Sequence, residues 1–393
     1  MPGLIKRFSS AAVVAAVVLV VTACGSDAKP ASDGSPAAPG TTPVPSATAR
    51  PAFNRDAAPA FEAVGVSSWI NSEPLTIKGL TSANKVVLVD FWTYTCVNCI
   101  RTFPFLREWN AKYADRGLVI LGVHTPEFDF EKVRANVEKA TAENGIVWPV
   151  AQDNDFHTWR AFGNRYWPAK YLIDAGGNLV FSHFGEGSYI ETEKEIRAAL
   201  KAAGYKVDDI PLGSVENLES DEKATMVTRE LYGGYGRNFS FSGGYAGQDA
   251  YYLGPDRVTE YVDAATYKHD KFYLHGLWKN EEEAVVHARQ TATAEDYIAL
   301  KFAATSVNVV IEPRGPEPFD VLVEMDGAPL TKEQAGSDVK FDAEGRSFLT
   351  VTDARLYSVV RLPSFAIGDL KLKSASKNFA VFAFTFGVYE SGI

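Results

Sequence analysis

The run Val86-Val87-Leu88-Val89-Asp90-Phe91-Trp92-Thr93-Tyr94-Thr95-Cys96-Val97-Asn98-Cys99 decides how the first half of this chain is read. Its first seven residues are apolar apart from Asp90, mostly β-branched or aromatic, and read as a buried strand. A short turn follows, Thr93-Tyr94-Thr95, and a helical pattern begins at Cys96. A C-x-x-C at a strand-to-helix junction reads as a redox dithiol rather than a metal clip. Two spare residues let the sulfurs meet across the first helical turn. The unpaired N–H groups and positive end of the helix favour negative charge on the Cys96 sulfur. Cys96 is therefore expected to be the nucleophile, with Cys99 behind it as the resolving thiol.

The elements around this run alternate between strand and helix. A hairpin is expected over Trp69 to Ile77 around Asn71-Ser72-Glu73-Pro74. Further strands are expected at Leu118 to Val123 and Val147 to Val150, with helices at Phe130 to Asn144 and His157 to Gly163. Tyr171 to Asp174 and Asn178 to His183 should pair across Ala175-Gly176-Gly177, and Glu191 to Ala203 should close the unit as a helix. This order predicts an α/β sheet covered on both faces.

Several matches beyond the cysteines resemble a thioredoxin-like domain, over residues 59–205. Asp90-Phe91-Trp92 precedes Cys96 as the Asp-Phe-Trp run does in thioredoxins, and Pro104 follows Cys99 by five residues, where that family kinks its active-site helix. Trp167-Pro168-Ala169-Lys170-Tyr171-Leu172-Ile173-Asp174 resembles the segment in which a cis-proline enters a strand beside the dithiol. The resemblance implies a cis bond at Pro168, a Cys96–Cys99 redox-active disulfide, and a buried Asp90 that accepts the proton of Cys99. A carboxylate in an apolar setting titrates high enough for that work near neutral pH.

The variant Phe91-Trp92-Thr93-Tyr94-Thr95-Cys96-Val97-Asn98-Cys99, with Val123-His124-Thr125-Pro126-Glu127-Phe128 and Gly185-Glu186-Gly187, is similar to a narrower group. It resembles the extracytoplasmic C-terminal portion of DipZ-type cytochrome c biogenesis proteins, within the TlpA/ResA-like branch. That likeness implies protein disulfides or dithiols as substrates and a DipZ/CcdA-like membrane protein as electron donor. It also makes Glu127 a second candidate acid near the dithiol. Val97-Asn98 matches neither the Gly-Pro of thioredoxin nor the Pro-His of DsbA, so the direction of electron flow is not set by the motif. A thiol peroxidase is the alternative chemistry: Thr93 sits where peroxiredoxin-like enzymes carry a Thr, but their Pro is replaced by Val89. The motifs call for no cofactor, and the six histidines show no metal-ligand spacing. Of these, His124 lies nearest the motif.

At the N-terminus, Lys6-Arg7 precede an apolar run from Ala11 to Val21, the layout of a secretory signal. It ends in Val21-Thr22-Ala23-Cys24-Gly25, which resembles a bacterial lipoprotein signal. Residues 1–23 are thus expected to be removed and Cys24 to carry the lipid, which accounts for the odd third cysteine. The Ala/Pro/Ser-rich stretch 24–58 reads as a disordered tether holding the folded part outside the cytoplasm, at the membrane.

The rest is too long for one modest core. Over 213–393 short aromatic and β-branched runs alternate with turns: Ala250 to Leu253, Lys271 to Leu277, Val285 to Ala288, Tyr297 to Phe302, Val307 to Ile311, Asp320 to Met325, Phe348 to Val351, Ser358 to Leu362 and Phe379 to Thr385. These predict an all-β sandwich, and in the DipZ-like relatives this part resembles a carbohydrate-binding-module jelly roll. Glycan is accordingly the alternative ligand, with Tyr232, Tyr235, Tyr252, Tyr273 and Trp278 as the available aromatics. Fold likeness alone assigns none of them a site. With Asp+Glu 49 against Lys+Arg 39 and no basic cluster, nucleic acid is not an expected partner.

Overall fold

In a computed structural model, residues 66–213, 227–239 and 243–388 are described. The expected signal, the tether and Cys24 lie outside them. The first part carries β1 (Ser68–Ile70), α1 (Ile77–Ser82), β2 (Val86–Trp92), α2 (Val97–Tyr113), β3 (Leu118–His124), α3 (Arg134–Glu143) and β4 (Val150–Gln152). It continues with α4 (His157–Ala161), β5 (Ala169–Ile173), β6 (Leu179–Phe184) and α5 (Tyr189–Ala202). These strands form one sheet in the order β1-β4-β3-β2-β5-β6. β2, β3 and β4 are parallel, whereas β5, β6 and β1 join antiparallel.

Strand alternation on β2 divides two cores. Val87, Val89 and Phe91 pack with Ile77, Phe162 and Tyr171 on one face, while Val86, Leu88 and Trp92 pack with Phe103, Leu106, Ile196 and Leu200 on the other. Asp90 has the parity of the second set. It is therefore delivered to the face covered by α2.

Several local expectations need correction, among them the strand expected at Val147 to Val150, which lies at Val150–Gln152. No hairpin forms over Trp69 to Ile77, because Asn71 turns with φ 63° and its side-chain amide donates to the carbonyls of Ile146 and Trp148. β1 pairs with β4 instead, and Thr76 caps α1 by accepting the Gly79 N–H at 3.0 Å. The helix expected from Phe130 to Asn144 is split into a 3-10 turn, Asp129–Lys132, and α3. Ala250 to Leu253 is no strand but part of a 3-10 turn, Asp249–Tyr252, in which Tyr251 donates to the Gly233 carbonyl and Tyr252 to Asn238.

The second part is all β: β7 (Leu231–Tyr232), β8 (Val258–Tyr261), β9 (Phe272–Asn280), β10 (Val285–His287), β11 (Asp296–Pro313), β12 (Phe319–Met325), β13 (Ala328–Pro329), β14 (Lys340–Phe341), β15 (Ser347–Val351), β16 (Arg355–Ser374) and β17 (Phe379–Gly387). Two runs expected as separate strands, Tyr297 to Phe302 and Val307 to Ile311, are one continuous strand, β11. The polar pair between them does not turn the chain: Thr305 is buried and donates to the Gly387 carbonyl at 2.9 Å. The first half of β11 pairs with β9 and the second with β17, and β10 bridges β17 and β9. Hydrogen bonding thus runs in a closed circuit around a core of Trp278, Phe272, Phe302, Val309 and Val381.

β17 belongs to two cores. Phe379 and Val381 point into the all-β core, whereas Ala380 and Phe382 join the core of the first part. The Phe382 ring meets Phe128 at 5.1 Å and Phe130 at 4.9 Å, both edge to face. Polar ties lie around this contact, including Lys139 to Asp353 at 2.8 Å and the Asp129 N–H donating to the Glu283 carboxylate. Because the two parts share a core, they should unfold together. Phe382→Ala is expected to cost roughly 3–5 kcal/mol and to move a single denaturation transition. Tryptophan fluorescence and far-ultraviolet circular dichroism should report that transition alike. Two separated transitions in the parent protein would contradict the shared core.

Candidate functional site

The turn after β2 is held from several sides. The Thr125 N–H donates to the Trp92 carbonyl at 3.0 Å, closing the ends of β2 and β3 together. Glu131, fully buried, accepts from the Thr95 N–H (3.3 Å) and hydroxyl (2.7 Å) through one oxygen. Its other oxygen accepts from the Glu127 and Phe128 N–H groups at 2.5 and 3.1 Å. One carboxyl therefore ties the residue before Cys96 to the loop after β3. Burial, and then the nearby Glu127 charge, push Glu131 up to about 7.

Cys96 occupies the N-cap of α2, and its sulfur accepts the Cys99 N–H at 3.2 Å. The structure holds both as free thiols, Cys96 half-buried and Cys99 fully buried. Burial, followed by the hydrogen bond with Cys96, pushes the Cys99 thiol well above its ordinary range. Such a pair has one sulfur open to a partner and one that must shed a proton inside the protein.

Asp90 is 1% exposed, and its Oδ1 has no hydrogen-bond partner among the described residues. Burial raises it to about 7, against the opposing pull of Lys170. Lys170 stands directly across from Asp90 in the antiparallel β2–β5 register and is itself fully buried. The Trp167–Pro168 bond is cis, as the resemblance implied. Trp167 donates through Nε1 to the Thr125 carbonyl at 3.1 Å, and the Gly185 N–H donates to the Pro168 carbonyl at 2.8 Å.

These elements open on a cleft of about 350 Å³. The first part lines it with Cys96, Val97, Asn98, Glu127, Arg165, Tyr166 and Trp167, and the β part with Glu230, Tyr232, Arg237, Thr385 and Phe386. Glu127 does lie in this cleft, but its carboxylate is engaged: it accepts from Arg237 at 2.5 Å and from the Tyr232 hydroxyl at 3.0 Å. The Arg237 guanidinium also lies 3.8 Å over the Tyr232 ring. At its edge, α2 is fastened to the β part by Arg101, whose Nη2 reaches Ser306 Oγ at 3.5 Å.

His124 is fully buried among Trp92 and Tyr94, and burial lowers it to about 3, so it stays neutral. No group of three or more His, Cys, Asp or Glu side chains suited to a metal occurs among the described residues. Of the aromatics available for sugar, Trp278 and Tyr273 are buried, Tyr252 is exposed but hydrogen-bonded to Asn238, Tyr235 donates to Asp256 at 3.3 Å, and Tyr232 faces the redox cleft.

Sequence reasoning missed Lys170, Glu131 and the β wall of the cleft. Lys170 left a signal: it shares strand parity with Leu172, an inward position where a lysine is out of place. Glu131 left none, since its role comes from donors brought by two loops. The β wall comes from positions 230–237 and 385–386, more than 130 residues beyond the motif.

Residues 54–200 match the Redoxin family, and residues 228–387 match a family described as a thioredoxin-like C-terminal domain. The chain is 33% identical over 326 residues to Protein DipZ of Mycobacterium bovis and of Mycobacterium tuberculosis, covering 82% of this chain. It spans only 42% of the length of those DipZ chains. The thiol-disulfide oxidoreductase YkuV of Bacillus subtilis is 30% identical over 142 residues, which is 36% of this chain and 94% of YkuV. A solved thioredoxin-like protein in its oxidized form is 30% identical, with a TM-score of 0.34, over 38% of this chain and 97% of its own. The YkuV match takes in nearly all of that protein, and the DipZ match, at 326 residues, is too long to be confined to the first part. On the YkuV match the chain belongs to the thioredoxin-like thiol–disulfide oxidoreductases, and over most of its length it is similar to DipZ.

Proposed function

We propose that the protein is a membrane-tethered, extracytoplasmic oxidoreductase that exchanges disulfides with protein substrates through Cys96 and Cys99. The observation that carries this reading is the asymmetry of the pair. A half-exposed sulfur sits on a helix N-terminus, and a buried thiol lies behind it on the face that also receives Asp90. Cys96 attacks a substrate disulfide and forms a mixed disulfide. Cys99 then gives its proton to Asp90 and attacks the Cys96 sulfur, releasing the substrate thiol. Trp167 borders the approach to Cys96, and the cis bond to Pro168 follows it directly. Glu127 serves as part of the cleft wall, holding Tyr232 and Arg237 in place beside the nucleophile.

The accessory β part acts in this reading as the second wall of the cleft, limiting which substrates reach Cys96. Glycan binding by a carbohydrate-binding-module-like jelly roll is the alternative, and the burial of Trp278 and Tyr273 counts against it. The DipZ likeness supports a DipZ/CcdA-like membrane protein as the source of electrons. The Val21-Thr22-Ala23-Cys24 sequence supports cleavage before Cys24 and a lipid there.

Three experiments test this. Brief alkylation of the reduced protein should modify Cys96 well before Cys99, because only the first sulfur is open to solvent; peptide mass spectrometry reads the ratio. Equal modification would remove the assignment of roles. Cys24→Ala should shift the protein from the membrane fraction to the soluble one, since a diacyl anchor dominates such binding. Retention of the variant on membranes washed in high salt would count against the anchor. Finally, resolution of the mixed disulfide should accelerate as pH rises through about 7, the value to which burial brings Asp90. Below that range Asp90 holds its proton and cannot accept another; above it the carboxylate is free. Asp90→Asn should lose this limb and resolve roughly 10²-fold more slowly at neutral pH, recovering in part where hydroxide takes over. Rates equal to the parent's from pH 6 to 9 would make Asp90 a bystander.

A further inference from the structure

The least expected charge in the first part is Lys170. Its side chain is fully buried, on a central strand, and its Nζ has no hydrogen-bond partner among the described residues. Ammonium groups are costly to bury, and a long apolar side chain would fill the same space without that cost. Lys170 faces charged or titratable groups from every element packed on it. Asp90 stands opposite on β2 and His183 opposite on β6, both in register. Cys96 and Cys99 act on it from α2 and Glu186 from the turn after β6, while the Tyr189 ring of α5 lies 5.8 Å from Nζ. Two of these neighbours are otherwise occupied: Glu186 pairs with Arg101 at 3.7 Å, and His183 Nε2 lies 3.1 Å from the Glu186 carbonyl. His183 is further biased toward its neutral form, by burial first and then by Lys170. Burial lowers the Lys170 ammonium, and what opposes that loss of its proton is Asp90 first and then the dithiol.

We propose that Lys170 is the fixed counter-charge of the resolving step, facing a negative charge that moves between Asp90 and Cys99. Before resolution the charge is on the Asp90 carboxylate. When Cys99 gives its proton to Asp90, the charge passes to the Cys99 sulfur. That sulfur attacks Cys96; the bond between Cys96 and the substrate sulfur breaks, and the electron pair leaves with the substrate, which takes a proton from solvent. The dithiol has then become a disulfide and the substrate disulfide two thiols. The ammonium opposes negative charge at both ends of the transfer, so the charge never stands alone in a dry site. Lys170 touches no substrate and is a positioning residue. The proposal rests on Asp90 being the proton acceptor.

The test uses the full chain and an aromatic disulfide, 5,5′-dithiobis(2-nitrobenzoic acid), as substrate. Its first coloured thiolate reports attack by Cys96 and its second reports resolution by Cys99, followed in stopped flow from pH 5.5 to 9. In Lys170→Met the carboxylate loses its favourable neighbour, so the midpoint of the resolution limb should move up by about one pH unit or more. Lys170→Arg should stay close to the parent. On an Asp90→Asn background, Lys170→Met should cause no shift, because the limb is already gone. An unchanged midpoint in Lys170→Met, with the limb lost in Asp90→Asn, overturns the role of Lys170 and leaves that of Asp90. A parent-like limb in Asp90→Asn overturns the proton-acceptor reading itself, and this proposal with it. If Lys170→Met does not fold, Lys170→Gln is read in the same way. A lysine that served packing alone would alter thermal stability and leave the midpoint in place.

Discussion

Everything at the site depends on the dryness of β2. All seven residues from Val86 to Trp92 are buried, with a packed core on each face, so a carboxylate at position 90 has no route to water. Desolvation is what separates this aspartate from a surface acid, which would stay ionised down to about pH 4. Parity then fixes its direction, toward α2 and the thiols. Register fixes its neighbour, since the residue across the β2–β5 ladder is a lysine with no more access to solvent than the aspartate has. Two buried titratable groups, Asp90 and Lys170, thus meet because a sheet has a period of two, without any loop having to place them.

The second constraint is the shared strand. β17 presents Val381 to one core and Phe382 to another, so the β part cannot tilt away from the dithiol without exposing apolar surface on both sides. This converts what is an open shelf in a lone thioredoxin-like domain into a cleft with two walls. Gly387 shows how closely the parts are fitted: a Cβ there would lie 2.3 Å from Arg101 Nη2 and 2.4 Å from Ser306 Oγ. The helix that carries the cysteines is therefore braced by the second part at its side, while its N-terminus stays open.

Legibility in the sequence followed the range of the interactions involved. The motif strand, the dithiol helix and the β5–β6 hairpin are local patterns, and all stood out. The cis bond before Pro168 was accessible only through family likeness, since nothing in Trp167-Pro168 by itself selects that isomer. Elements whose form depends on a distant partner were misread. Asn71 turns because carbonyls near Trp148 accept from it, and Thr305-Ser306 stays extended because β16 and β17 flank it. The same division holds at the site. Cys96, Cys99 and Asp90 announce themselves by spacing, while Glu127 was identified as an acid near the dithiol without any sign that Arg237 would engage it. Lys170 could have been found by counting strand parity, and Glu131 could not.

The position of β17 along the chain also bears on the order of assembly. The first part, with its dithiol, is complete in sequence by Ala202, whereas the strand that covers it begins only at Phe379. β7, which forms the cleft wall at Tyr232, pairs with that same late strand. During synthesis the parts of a chain fold roughly in the order they emerge, and pairings across long sequence separations come last. The cysteines would therefore pass through a period on an open surface, with Phe128 and Phe130 uncovered beside them. Substrate selectivity of the kind a two-walled cleft confers is then a property acquired at the end of folding, after the chemistry is already in place.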